Sequence, residues 1–276
     1  MKKQDTKKIV RQGYAKVAVQ GSSCCGPSSS CCGTTDTAID ISKKIGYTDE
    51  QLRSAPQGAN LGLGCGNPVA IASLKEGETV VDLGSGPGLD CFLAADRVGK
   101  KGKVIGVDMT PEMLEKAREN AGKGRFENVE FRLGEIENLP VADNSADVVI
   151  SNCVINLSPD KQKVFEETFR VLKPGGRLMV SDIVLTKPLP DKIRESVDAY
   201  IGCISGAITK EEYLHTVKTA GFSDVSIVDE LSIPVEEWVN DPTASSITEN
   251  LNISPEEARD ILGTVASVKV KGIKGS

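Results

Sequence analysis

The chain has 276 residues, 39% hydrophobic and 26% charged, enough to bury a full core in one large or two smaller domains. Its 39 acidic residues outnumber the 33 basic ones, for a net charge of −6, and the Lys and Arg side chains are scattered, which leaves no uniform basic face for a nucleic-acid backbone. No apolar run approaches the ~18 residues of a membrane span and the N-terminus lacks the apolar stretch of a secretion signal, so a cytoplasmic protein with reduced thiols and neither a membrane nor a nucleic-acid partner is expected.

In chain order, Ile9, Val10, Tyr14, Val17 and Ala18 are spaced as on one face of a helix. Residues 21–37 are rich in Ser, Thr, Gly and Cys and read as loop. Four of the eight cysteines lie there as two doublets, Cys24-Cys25 and Cys31-Cys32. Eight cysteines in a reducing compartment point to metal, metalloid or redox chemistry more than to a disulfide framework. Thr48-Asp49-Glu50-Gln51 has the capping-box pattern ahead of a short helix that Pro56 stops.

From residue 77 short apolar runs alternate with helical patterns. Strands are predicted at 79–83, 104–108, 129–133, 147–151 and 177–181, with two more at 225–228 and 267–271. Helices are predicted to open at Thr110-Pro111, Ser158-Pro159, Thr209-Lys210 and Ser254-Pro255. Strands alternating with helices make a parallel, doubly wound α/β sheet.

Val80-Val81-Asp82-Leu83-Gly84-Ser85-Gly86-Pro87-Gly88 closes the first strand with a glycine loop, and Asp108 follows at the end of the second. The glycines permit a tight turn and close approach to a ligand. An acid at Asp108 suits the two hydroxyls of an adenosine ribose. The loop is shorter than the one suited to a pyrophosphate, and Asp82 just before it would repel one, whereas a carboxylate there suits the cationic amino-acid end of a sulfonium. The loop resembles the first motif of the class I S-adenosylmethionine-dependent methyltransferases, and Gly134-Glu135-Ile136 resembles their adenine-binding motif. A second Gly-x-Gly-x-Gly, Gly62 to Gly66, follows no strand, so its interest is Cys65 at its centre.

Ser151-Asn152-Cys153 ends the fourth strand, beside the switch point of such a sheet, where amine methyltransferases carry Asn/Asp-Pro-Pro-aromatic. A thiolate there suits a soft acceptor instead. Cys65, Cys153 and Cys203 come from three Gly-rich or strand-end segments and would together suit a trigonal soft ion. Zinc would ask for four ligands and Cys-x-x-Cys pairs. Cys91 reads as a core residue, His215 and the single Trp238 as packing or surface, and Asp143 and Asp147 as loop and strand-start residues.

Leu61 to Pro68, Ser151 to Leu157 and Gly202 to Ala207 resemble hallmarks of the arsenite methyltransferase family, together with Asp82 to Gly86 and Val107-Asp108-Met109-Thr110. The resemblance implies a Rossmann-like, mostly parallel seven-stranded class I methyltransferase sheet with a C-terminal α+β extension and a flexible Cys-rich N-terminal arm. It implies three thiolates on As(III), carried over as Cys65, Cys153 and Cys203, and a cofactor site of Asp82, Gly84, Ser85, Gly86, Asp108, Met109, Glu135, Ile136 and Asn152. S-adenosylmethionine would be the methyl donor and a thioredoxin- or glutathione-type thiol the reductant, with arsenite or its thiol conjugates as acceptor, no metal cofactor and a monomeric chain. A further cysteine near the N-terminus would assist arsenite capture or disulfide exchange. The sequence leaves open which of Cys24, Cys25, Cys31 or Cys32 corresponds. The chain divides into 1–40, helix and Cys-rich arm; 41–187, the S-adenosylmethionine-binding domain; and 188–276, the region that completes the sheet. Two other readings fit the residues: a quinone or small-molecule methyltransferase with incidental cysteines, and a non-enzymatic thiol-rich metalloid-binding protein.

Overall fold

The computed structural model describes residues 3–20, 35–194, 196, 199–200, 202–232 and 253–275. The Cys24-Cys25 and Cys31-Cys32 arm and Trp238 lie outside the described residues.

Helix α1 (Lys3–Gln20) is followed by α2 (Thr35–Lys44), α3 (Asp49–Ser54) and α4 (Pro68–Ile71). Then come β1 (Thr79–Leu83), α5 (Leu89–Val98), β2 (Lys103–Asp108), α6 (Pro111–Gly124), β3 (Val129–Leu133) and β4 (Ala146–Asn152). Last are α7 (Lys161–Val171), β5 (Leu172–Leu185), α8 (Asp191–Arg194), α9 (Lys210–Thr219), β6 (Ser223–Ser232), α10 (Pro255–Leu262) and β7 (Val265–Ile273). The strands form one seven-stranded sheet in the order β3-β2-β1-β4-β5-β7-β6. β3 to β5 run parallel, and β7 pairs antiparallel with both β5 and β6.

The central strands are apolar on both faces because both faces are covered. Val80 aligns with Val104 and with Val148, and these residues pack with Phe92, Leu93 and Ala94 of α5. Val81, Ile105 and Val149 point the other way, toward Phe165 of α7 and Tyr213 of α9, whose rings meet edge-on at 5.5 Å. The strand order reverses at β1, between β2 and β4, so a crevice opens beyond the carboxyl ends of β1, β2 and β4.

All seven expected strands are present; β1 and β3 have the expected bounds and the other five run longer. β5 begins at Leu172, ahead of the expected 177, because Lys173-Pro174-Gly175-Gly176 is a bulge: Ala146 pairs with Leu172, and the next pair is Val148 with Arg177. β5 also runs past Ser181 to Leu185, where β7 accompanies it. The capping boxes at Thr48, Thr209 and Ser254 are formed. At α7 the cap is Asp160, whose side chain accepts from the Lys163 N–H, and not Ser158. The Ser158 hydroxyl instead accepts from the Asp160 N–H and donates to Glu137. Helix α2 was not expected; it takes the last three residues of the segment read as loop and crosses the division drawn at residue 40. No helix among the described residues is long and apolar enough to cross a membrane.

Candidate active site

One cleft of about 390 Å³ runs along the carboxyl ends of the central strands, from the glycine loop to the cysteines. At its first end, Gly84, Gly86 and Gly88 all have positive φ. A Cβ on Gly84 would collide with Val154, so this position requires glycine for both backbone and space. Asp108 ties the loop to β2: one carboxylate oxygen accepts from the Gly86 N–H at 2.9 Å, the other from the Thr110 N–H at 2.8 Å. Thr110 precedes α6 as expected, but its side chain makes no capping bond.

Asp82, Asp90 and Asp108 all border this end. Burial pushes the Asp82 carboxyl well above the usual carboxylate range, and neighbouring Asp90 adds to the effect. Burial lifts Asp90 to about 6, against hydrogen bonds from Tyr47 and Asn152. Asp108 is raised by burial too, against the N–H groups of Thr110 and Gly86. Such a cluster suits a cationic guest. The Ser85 hydroxyl is buried in the same wall with no hydrogen-bond partner among the described residues. An unpartnered hydroxyl, a glycine loop open to the cleft and acids set for a cation and a diol fit S-adenosylmethionine. Cys91 is buried as expected, and its thiol donates to Asp82 Oδ2 at 3.2 Å.

At the other end, Cys65, Cys153 and Cys203 come together from segments far apart in sequence. The Cys153 thiol hydrogen-bonds both the Cys65 and the Cys203 thiols, and the Cys203 thiol also lies 3.0 Å from the Cys153 carbonyl. Cys153 and Cys203 both hold left-handed backbone, at φ 58° and 63°, a conformation that costs of order 1 kcal/mol each for a non-glycine residue. This strain turns both side chains into one corner. Cys65 is pinned through its backbone: its N–H donates to Asn152 Oδ1 at 3.0 Å, and its carbonyl accepts from the Ser267 hydroxyl at 2.6 Å. Gly64 lets Asn152 approach, because a Cβ there would stand 2.7 Å from the amide. Burial raises the Cys65 thiol. At Cys153 the bond with Cys203 pulls downward, but the bond with Cys65 and burial outweigh it, and the thiol lies well above its usual range. The Cys203 thiol is raised likewise by its bond with Cys153 and by burial. All three are therefore thiols, not thiolates, at neutral pH.

Of the expected cofactor residues, Asp82, Gly84, Ser85, Gly86, Asp108, Met109, Ile136 and Asn152 line the cleft. Glu135 does not; its carboxylate turns outward to Lys7 of α1 at 2.7 Å, while Gly134 and Glu137 face the cleft. The second glycine loop was set aside for want of a preceding strand, yet Leu61 to Gly64 form part of the wall. Val10 and Tyr14 of α1, Tyr47, Asp182 and Ser267 were not foreseen. No short motif marks them, since each reaches the site only through the fold.

The sheet order, the glycine loop and the acid at the end of β2 define a class I methyltransferase. Residues 74–221 match the methyltransferase domain family model, which is more than half of the chain. An arsenite methyltransferase of Halobacterium salinarum is 50% identical over 243 residues, covering 85% of this chain and 62% of that protein. One from Aquipseudomonas alcaligenes is 39% identical over 218 residues, covering 76% of this chain and 59% of that protein. The chain thus spans about three fifths of the length of these relatives. The crystal structure of an arsenic(III) S-adenosylmethionine methyltransferase from Chlamydomonas reinhardtii superposes with a TM-score of 0.64 at 33% identity, covering 87% of this chain and 73% of that one. The chain belongs to the arsenite methyltransferase family.

Proposed function

We propose that the protein transfers methyl groups from S-adenosylmethionine to As(III) held by Cys65, Cys153 and Cys203, giving methylated arsenicals. The observation that carries this reading is the single cleft joining the glycine loop to three converging thiols. When bound, S-adenosylmethionine supplies an electrophilic methyl on a cationic sulfur. Asp82 and Asp90 would hold its cationic end, Asp108 the ribose and the Gly134–Ile136 segment the adenine.

The acceptor binds without a change of charge. Neutral arsenous acid exchanges three As–OH bonds for three As–S bonds, and each thiol proton leaves with a hydroxyl as water. Raised thiol pKa values therefore cost this step nothing. Three sulfurs fix arsenic with its lone pair directed away from them, into the cleft. That lone pair is the nucleophile, so no general base is required, and the protein supplies alignment and exclusion of water. As the As–C bond forms, the methyl–sulfur bond breaks and its electron pair stays on the departing S-adenosylhomocysteine. Arsenic has then lost two electrons formally, and two thiols of a glutathione- or thioredoxin-type reductant return them on forming a disulfide. Before arsenic binds, Cys65 and Cys203 are packed among Val10, Leu157 and Ile204, a dry corner suited to this chemistry.

Incubation with arsenite, a thiol reductant and methyl-labelled S-adenosylmethionine is expected to give labelled methylarsenicals and S-adenosylhomocysteine in equal amounts. No labelled arsenic under conditions where the cofactor binds would overturn the proposal.

The acid cluster predicts a pH dependence. Asp90 rises from its usual 3.8 to about 6 in the folded protein. Its contribution favours the folded state at acid pH and is lost as pH rises through about 6, because the folded form then holds a proton that the unfolded form has released. A cation bound beside it prefers the ionised carboxylate. S-adenosylhomocysteine, which keeps the ammonium group, is thus expected to bind several-fold more tightly at pH 7.5 than at pH 5 by calorimetry. A flat profile would mean that its ammonium does not meet Asp82 and Asp90.

A further inference from the structure

Asp182 belongs to the C-terminal half of β5 and is 1% exposed. A carboxylate oxygen of Asp182 and the sulfurs of Cys65 and Cys153 all lie within 4.8 Å of one another. The three cysteines line the cleft, but Asp182 does not, so the carboxylate stands behind the sulfurs. Its orientation is fixed. Oδ1 accepts from Asn156 Nδ2 at 2.9 Å and from the Ile183 N–H at 3.0 Å, and Oδ2 accepts from the Tyr213 hydroxyl at 3.1 Å. Asn156 is itself fully buried and held by the Ile183 carbonyl at 2.7 Å. Two carboxylate oxygens offer about four acceptor directions, and three are used. Outer groups that fix a carboxylate while leaving a lone pair free are the usual support of a metal-binding carboxylate.

As(III) uses three ligands and keeps its lone pair, so it has no place for a fourth donor. A soft d10 cation differs: it has no stereochemically active lone pair and prefers four ligands in a tetrahedron. Cys65, Cys153 and Asp182 supply three of these donors; the Cys203 thiol bonds that of Cys153 but lies outside the group and would swing in as the fourth, and Lys161, whose ammonium interacts with both Asp182 and Cys203, offsets part of the negative charge. We propose that Cys65, Cys153, Cys203 and Asp182 form a tetrahedral site for cadmium or zinc, which competes with arsenite for the same sulfurs. This rests on the three-thiol reading above and adds a second ligand class to it. The bound cation would have no electron pair to give to a methyl group, so it would block turnover, competitively with arsenite and not with the methyl donor.

The probe is cadmium chloride added to the reduced 276-residue chain carrying Cys24→Ser, Cys25→Ser, Cys31→Ser and Cys32→Ser, which removes the four cysteines of the N-terminal segment. The expected result is one cadmium per chain, displaced by arsenite, with a cadmium-113 resonance in the range of three sulfurs and one oxygen. Asp182→Asn is expected to weaken cadmium at least tenfold more than it weakens arsenite, with S-adenosylhomocysteine binding as the check on folding. A cadmium signal in the range of sulfur-only ligation, equal losses for cadmium and arsenite in Asp182→Asn, or, in a chain that does bind arsenite, cadmium that arsenite does not displace would overturn the inference. The resonance of the chain with Asp182 intact decides by itself if Asp182→Asn does not fold. Arsenite bound without cadmium would sink this inference alone, whereas cadmium bound without arsenite would sink the arsenic reading alone.

Discussion

Cys153→Ser and Cys203→Ser are each expected to cut arsenite methylation by about 100-fold or more, roughly 3 kcal/mol in the barrier, while leaving S-adenosylhomocysteine bound. Each substitution exchanges one As–S bond for an As–O bond that water readily displaces, and arsenic held by two sulfurs can swing. A displacement of about 1 Å from the line of attack is enough to cost two orders of magnitude. Serine keeps the left-handed backbone at both positions, so the change isolates the donor atom from the strain that presents it. Initial rates with arsenite, alongside calorimetry for the cofactor product, separate the two effects. Full activity in both variants would make the cysteines incidental and return the chain to the quinone or small-molecule methyltransferase reading.

The cofactor end of the site was largely legible in the sequence because its constraints are local. A glycine loop after an apolar strand, with an acid at the end of the next strand, implies one geometry, and the structure joins Gly86 to Asp108 by a direct hydrogen bond. The buried strands were legible for a similar reason: covered on both faces, they read as unbroken apolar runs. β5 was cut short at Ser181 because Ser181-Asp182 interrupts its run, and Asp182 went unnoticed with it. Glu135 was misplaced by one residue of register. The motif gives the turn, but the alternation of side chains sends Gly134 and Ile136 inward and Glu135 out to α1, whose position no local pattern announces. The convergence of Cys65, Cys153 and Cys203 followed from a resemblance, not from spacing. What brings them together is positive φ at two of them and two hydrogen bonds to the backbone of the third, and neither leaves a trace in the chain's periodicity.

Asn152→Ala is expected to lower the melting temperature by about 5–10 °C and to raise the KM for arsenite more than that for S-adenosylmethionine. The Asn152 amide is the joint between the two ends of the cleft. Its oxygen accepts from the Cys65 N–H, and its nitrogen donates to the Gly66 carbonyl at 2.8 Å, the Tyr47 hydroxyl at 2.9 Å and Asp90 Oδ2 at 3.1 Å. Tyr47 in turn donates to Asp90 Oδ1 at 2.6 Å. Alanine strands the Cys65 N–H and the Gly66 carbonyl in a half-buried wall, at ~1–3 kcal/mol for each unpaired group. Gly64, which carries no side chain toward the gap, cannot fill it. Asn152→Asp provides the contrast. It keeps an acceptor for the Cys65 N–H but sets a second carboxylate against Asp90, and the two repel when both are ionised. Asp90 holds its proton below about 6, so this variant should recover arsenite affinity as pH falls from 7.5 to 5.5, whereas Asn152→Ala should not. Equal behaviour of the two variants across that range would show that Asn152 acts on the cofactor directly and does not position the Cys65 loop.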